Sequence, residues 1–426
     1  MPFCAVSLFV APSSYGVLSA TSANTIQGHK PGFSGQSGAK KLGFKVGNIS
    51  YSEANPVLGG SNTDKDKIEP GTPKLFDPSL RLEDFKVQNF TENDFTIATD
   101  YYDADGDDAN PTTPFTIVGT VSHEWLDGNG DVILDETKMI GCGGGLTPPL
   151  TLKINLVAQS HSRYGNPRDS DPAGLEQRYQ IKAPTSGFCF AKPNSLDYHN
   201  GATPHPMGGG GYASAQFDPD NGFKASLNPK FPTTGFPGAT FTLIMVGNPT
   251  DYTFTHNGGG AVTVGTDGKV TLNSKLGGGG VTIKAKFNAT SQIHEYTLNP
   301  TTVWVVPKLN PATALEPYDP YAYTYANAIT ACRGESNIPT RADLTNAPQS
   351  IDYIGSGGVN FYTRAVGGGV FGEWGKTTRS IYPGSRWYDG GYWTRETWIG
   401  QLLVNPKNGQ VFHYGATSLF WVACLE

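Results

Sequence analysis

The chain has 426 residues, of which 54 are Gly and 31 Pro, with 12 % aromatic and only 16 % charged residues. Long helices are built from Ala, Leu, Glu, Lys and Met, and with only 4 Met in all this composition excludes a helical bundle. The aromatics and the Val/Ile/Thr runs supply apolar surface to bury, which excludes a disordered chain. The net charge of −6 comes with no basic run, so the electrostatic footprint of a nucleic-acid binder is missing. No stretch of about 18 apolar residues exists to cross a membrane as a helix. The remaining class is a turn-rich protein of many short strands, long enough for roughly two to four domains.

Residues 1–24 read as a leader-like or truncated N-terminal segment. Ala5 to Ala20 is the most apolar stretch of that region, broken by Pro12, Ser13 and Ser14 and preceded by no Lys or Arg. It ends in Ala20-Thr-Ser-Ala23, small residues that suit a signal-peptidase site. Within 25–80, Thr25 to Phe33 and Val46-Gly-Asn-Ile-Ser-Tyr51 are short strand candidates. The pattern then sharpens. Phe95 to Tyr101, Phe115 to Trp125 and Leu150 to Val157 alternate apolar and polar residues, and period two puts one face in a core and one in water. Residues 25–230 are thus assigned to N-terminal β-sandwich domains.

Residues 231–307 hold six short strands: Phe241 to Val246, Tyr252 to Thr255, Val262 to Val264, Lys269 to Leu272, Val281 to Phe287 and His294 to Leu298. Asp267-Gly268 is a hairpin signal. This is the size and rhythm of an immunoglobulin-like domain. From 308 to 426 the character changes. Ala322 to Cys332 has apolar residues at helical spacing, Pro339 to Thr345 reads as a cap followed by a short helix, and Phe420 to Leu425 reads as a buried closing strand.

The five cysteines are Cys4, Cys142, Cys189, Cys332 and Cys424, and no two have the CxxC spacing of a zinc site. Cys142 with Cys189 and Cys332 with Cys424 read as two disulfides, each within its own domain, which implies an oxidising compartment or the cell exterior. Four buried free thiols in a cytosolic protein are the alternative.

The order helix, Cys332, Ile338-Pro-Thr-Arg-Ala-Asp-Leu344, Gly372-Glu-Trp374, Gly391-Tyr-Trp-Thr394 and a last strand ending at Cys424 resembles a C-type-lectin-like domain. In that fold the first and last cysteines tie the first helix to the last strand. An immunoglobulin-like domain directly before it resembles the tip of the intimin/invasin adhesins of enteric bacteria. Ser14 to Asn24, Ile26-Gln-Gly-His29, Asp103-Ala-Asp-Gly-Asp107, Phe188 to Pro193 and Phe231 to Gly235 are similar to such adhesins too. The resemblance implies a mainly β chain, with tandem immunoglobulin-like β-sandwich domains followed by an α+β C-type-lectin-like domain at 308–426. It implies non-catalytic binding of a host or neighbouring-cell surface protein or glycan, and a secreted or cell-surface, outer-membrane-associated location. Intimins and invasins carry an outer-membrane barrel that this sequence does not show, so a barrel exporter is an expected partner. A phage or fibre-tip receptor-binding protein with a lectin-like fold is the alternative, and a carbohydrate-active enzyme a second.

Alternate carboxylates around a glycine turn can converge on Ca²⁺, which takes six to eight oxygens, so Asp103, Asp105 and Asp107 are the candidate metal ligands. Asp127-Gly-Asn-Gly-Asp131 has similar oxygen spacing. The competing reading is a solvated turn, which Asp, Asn and Gly favour. No other cofactor is expected. The calcium-dependent sugar signatures Glu-Pro-Asn and Trp-Asn-Asp do not follow Cys332. A GxSxG elbow, an HExxH pair and a GK[ST] phosphate loop are absent, so no catalytic residue is assigned. Between 379 and 398, nine positions are Trp, Tyr or Arg, the types enriched at binding hot spots. Arg386, Trp387, Tyr388, Tyr392 and Arg395 are the candidate ligand-binding residues, the first four expected partly exposed. Trp374, Trp393 and Trp421 are expected in the core.

Overall fold

The computed structural model describes residues 28–54, 65–143, 145–205, 208–300, 303–313, 321–348 and 360–426. The leader-like stretch with Cys4 lies outside the described residues. The protein is mainly β. Its chain divides into two compact units, one of residues 1–70, 86–124 and 152–179, the other of 71–85, 125–151 and 180–426.

In the first unit, Phe44–Val46 and Ile49–Ser52 form an antiparallel hairpin, with Val46 opposite Ile49. Gly47, at φ 58°, supplies the left-handed turn between them. Phe44 stacks on Tyr51 with ring centroids 5.3 Å apart and meets Tyr179 edge-on at 5.2 Å. The buried Tyr179 hydroxyl donates to the Leu42 carbonyl, which satisfies its one polar atom. The long strand Leu150–Ser160 alternates as its sequence requires. Leu152, Ile154, Leu156 and Ala158 point into the core, while outward-facing Lys153 pairs with Glu124 and Glu176 at 3.5 and 3.3 Å.

One expected strand is absent. Phe95 to Tyr101 is a turn of helix, Ile97–Asp100, running into the two-residue strand Tyr101–Tyr102. The reason is Asp100, whose buried carboxylate accepts from the backbone N–H groups of Thr96, Ser37 and Gly38 and from the Ser37 hydroxyl. Four donors around one side chain outweigh a period-two pattern, and Ile97 is left facing solvent.

In the second unit, all six strands expected between 239 and 307 form, as Ala239–Met245, Tyr252–His256, Val262–Val264, Lys269–Leu272, Val281–Phe287 and Ile293–Leu298. One sheet runs Val262–Val264, Lys269–Leu272, Ala239–Met245, then Phe188–Pro193 and the Phe217–Asp218/Gly222–Lys224 hairpin. The other holds Tyr252–His256, Val281–Phe287 and Ile293–Leu298. Phe241, Leu243, Val270, Leu272, Ile283, Ala285 and Tyr296 share one core. Cys142 and Cys189 are joined by a 2.04 Å bond that fastens the 139–143 loop to the strand Phe188–Pro193.

The lectin-like end begins with the helix Tyr325–Ala331, capped by the Thr324 hydroxyl, and Cys332 is its C-cap. Cys332 is bonded to Cys424 in the closing strand Val422–Leu425. That strand pairs antiparallel with Val303–Lys308, which itself pairs parallel with Thr234–Gly235. The short helix Arg341–Leu344 starts with a full capping box. The Thr340 hydroxyl accepts from the Asp343 N–H at 3.1 Å, and the Asp343 carboxylate accepts from the Thr340 N–H at 2.7 Å. A third helix, Gly369–Trp374, is buried on every side and carries no sequence cap. The antiparallel strands Tyr392–Thr397, Gln401–Val404 and Val411–Tyr414 complete the domain.

Candidate recognition surface

Trp374, Trp393 and Trp421 are core residues, as the sequence suggests. Two of the proposed contact residues are core residues as well, which corrects the expectation for them. Trp387 is fully buried against Phe236, Phe371 and Tyr392, with ring centroids 5.7, 5.2 and 4.6 Å away. Tyr392 is fully buried too, and its hydroxyl accepts from the Tyr388 N–H at 2.7 Å. Burial pushes the Tyr392 phenol far above its ordinary pKa. The loop turns inward at Gly390. Its φ of 150° suits only glycine, and a Cβ there would lie 2.0 Å from the Trp421 ring.

Of the other candidates, Arg386 is exposed. Tyr388 is half-buried and parallel to the Trp421 ring at 6.2 Å, and Arg379 donates to its hydroxyl at 3.4 Å. Arg395 is exposed and donates to the Ser336 carbonyl at 3.0 Å.

Past Arg395 the hairpin ends in an apolar tip, where Trp398 belongs to the aromatic-rich stretch noted in the sequence and Ile399 does not. Trp398 is 38 % exposed and Ile399 69 %. The Trp398 N–H closes on the Gly400 carbonyl at 2.9 Å, so the two side chains sit on a tight turn. Across the sheet, Thr397 opposes Gln401, and Gln401 opposes Tyr414, which is 51 % exposed and lies tilted against Phe420 with ring centroids 4.9 Å apart. The signal was present in the sequence as Trp-Ile-Gly between two short strand segments. Large apolar residues in a turn have no core to enter. Tyr414 carried no such mark, because only strand register brings it to the tip.

The same unit holds a polar network that no motif announces. The Glu373 carboxylate is fully buried and accepts from the N–H and hydroxyl of both Thr233 and Thr234 and from the Gly367 N–H. Burial raises its pKa against those donors, which favour the anion. The buried Arg364 guanidinium donates to the carbonyls of Ser195, Asp197, Gly372 and Glu373, and its carbon sits 4.5 Å from the Phe217 ring centroid. Every polar atom is paired, so the network holds the immunoglobulin-like and lectin-like parts in a fixed register.

The acidic cluster is a hydrogen-bonded turn. The Asp103 carboxylate accepts from the N–H groups of Asp105 and Asp107 at 2.8 and 3.4 Å. The Asp105 carboxylate faces His29, with Nδ1 at 2.8 Å, and this pairing raises the imidazole pKa and lowers the carboxyl. Burial and the neighbouring Asp103 and Asp107 push the Tyr101 phenol up to about 12. Among the described residues no three His, Cys, Asp or Glu side chains converge as metal ligands. Asp127 likewise accepts from the N–H groups of Asn129 and Asp131 at 2.8 and 3.0 Å.

Residues 212–298 match the family model for invasin, domain 4. Invasin of Yersinia enterocolitica is 25 % identical over 204 residues, which cover 46 % of this chain and 21 % of that protein. The chain therefore spans about a fifth of this curated relative's length. Among solved structures, that of invasin, described as a bacterial integrin-binding protein, is 17 % identical with a TM-score of 0.39, covering 74 % of this chain and 60 % of that one. The C-terminal 282-residue fragment of intimin, solved with the intimin-binding domain of the translocated intimin receptor, is 16 % identical with a TM-score of 0.31, covering 73 % and 92 %. With a domain-4 sequence match over 212–298 directly ahead of an end closed by the Cys332–Cys424 disulfide, the chain is similar to the intimin/invasin adhesins in this region.

Proposed function

We propose that this chain is the outward-facing part of a bacterial cell-surface adhesin and that its lectin-like end binds a protein on a host or neighbouring cell, without catalysis. An outer-membrane barrel exporter places it there. The observation that carries the reading is the invasin domain-4 match over 212–298, followed by a domain whose large exposed apolar side chains, Trp398, Ile399 and Tyr414, sit at one end of one sheet. Arg395 supplies the adjacent charge. Aromatic and arginine side chains on a rigid frame lose little entropy on binding, and the disulfide and the Arg364–Glu373 network provide that frame.

The test is adhesion of coated beads to cultured host cells, with Trp398→Ala and Ile399→Ser beside the parent chain. Each substitution is expected to cost about 2 kcal/mol of binding, roughly 30-fold in Kd. Unchanged adhesion by both variants rejects this surface. Adhesion abolished by stripping glycans from the cells, with the protein receptor intact, rejects a protein partner in favour of a glycan.

A further inference from the structure

The sequence contains five Asn-Gly pairs, at 129, 200, 221, 257 and 408. In such a pair the glycine nitrogen attacks the asparagine Cγ. The N–Cγ bond forms, the Cγ–Nδ2 bond breaks and ammonia leaves with the amide proton. Water then opens the cyclic imide to aspartate or, by the other carbonyl, to isoaspartate. No enzyme or oxidant is needed. The glycine N–H must be free to lose its proton, and the side-chain amide must be free to swing onto it.

The structure withholds one or both freedoms at four pairs. The Gly130 N–H donates to the Asp127 carbonyl at 3.0 Å, and the Asn129 amide donates to Asp127. The Gly258 N–H donates to His256 Nδ1 at 3.3 Å, while the Asn257 side chain accepts from the Thr282 N–H at 2.8 Å. The Gly409 N–H donates to the Asn405 carbonyl at 2.8 Å, and the Asn408 side chain accepts from the Gln410 N–H at 3.0 Å. The Asn221 amide donates to the Asp218 carboxylate at 2.9 Å, and Gly222 is buried in its hairpin.

Asn200 differs in its hydrogen bonding. Asn200 and Gly201 are exposed. Among the described residues neither the Asn200 amide nor the Gly201 N–H has a hydrogen-bond partner. Asn200 also holds the left-handed conformation, at φ 63°, which a non-glycine residue keeps at a cost and which a rearranged backbone relieves. We infer that Asn200 is a self-modifying site of this protein, where the native fold permits conversion to aspartate and isoaspartate that it suppresses at the other four pairs.

The product alters more than charge. The Gly211 N–H donates to the His199 carbonyl at 2.6 Å and the Tyr212 N–H to the Ala202 carbonyl at 3.0 Å, so the turn is pinned on both sides. Isoaspartate adds a main-chain carbon between those pins. It loosens the segment whose Gly209 and Tyr212 bridge to Phe361 and Arg364.

The test ages the purified full-length chain at mildly alkaline pH and body temperature and follows each Asn-Gly pair by peptide mass spectrometry with isoaspartate labelling. A parallel sample is unfolded in urea. Native chain is expected to convert at Asn200 at least about tenfold faster than at any other pair, a barrier difference of about 1.4 kcal/mol. In urea the five rates are expected to draw together, since they share the same dipeptide. Asn200→Gln is expected to abolish most of the acidic shift seen on isoelectric focusing. Equal rates in the native chain, or an Asn200 excess that persists in urea, overturns the inference.

Discussion

Trp387 and Trp398 lie eleven positions apart in one aromatic-rich stretch and have opposite fates. Trp387 is sealed against Phe236 and Phe371, so Trp387→Ala is expected to cost about 3–5 kcal/mol of unfolding free energy in urea titration. Trp398→Ala, at a turn, is expected to shift that titration little while weakening adhesion. Glu373 gives a third residue-scale prediction. Glu373→Ala leaves five donors without their acceptor, the two of Thr234 fully buried, and is expected to destabilise by about 3–5 kcal/mol, read the same way. Acid acts at Asp218. Burial would raise its carboxyl, but the Arg81 guanidinium and the Asn221 and Asp220 N–H groups outweigh burial and hold it below its ordinary value. Its contribution is therefore present at neutral pH and lost as the pH falls below the ordinary carboxylate range. Asp218→Asn is expected to flatten the acid limb of a stability-against-pH curve. An unchanged limb would exclude the pair as its source.

At the scale of elements, capping and turn chemistry wrote themselves into the sequence where strand pairing did not. The Thr340/Asp343 box marks the start of Arg341–Leu344, and Thr340→Ala is expected to cost about 1 kcal/mol in thermal unfolding. The six strands of the immunoglobulin-like sheets were legible because Val281, Ile283 and Ala285 alternate with Lys284 and Lys286, and one face of each strand is wet. The helix Gly369–Trp374 was not legible, because buried on all sides it has no polar stripe and so no period. The segment around Ile97 misled for the opposite reason. Its alternation was real, but Asp100 drew the backbone donors around itself.

Over the whole molecule, both disulfides fall in the second unit, spanning 47 and 92 residues of sequence. Loop-entropy arguments put each at on the order of 4 kcal/mol. Reduction is expected to speed hydrogen exchange at core amides such as Leu243 and to leave Ile154, in the first unit, unchanged. The cysteines, their spacing and the helix-to-last-strand order could be read from residues alone, because composition and periodicity are local properties, whereas the bond between Cys332 and Cys424 joins residues 92 positions apart. So could the mainly β class, from glycine, proline and aromatic content. Which aromatics face water was decided only by tertiary structure. Trp387, Tyr392 and Trp398 are all large aromatics within one twelve-residue stretch. A glycine that lets the loop turn onto Trp421, and a strand register that carries Tyr414 beside Trp398, settle what each one does. Both depend on residues that lie distant along the chain, so no local pattern could hold that information.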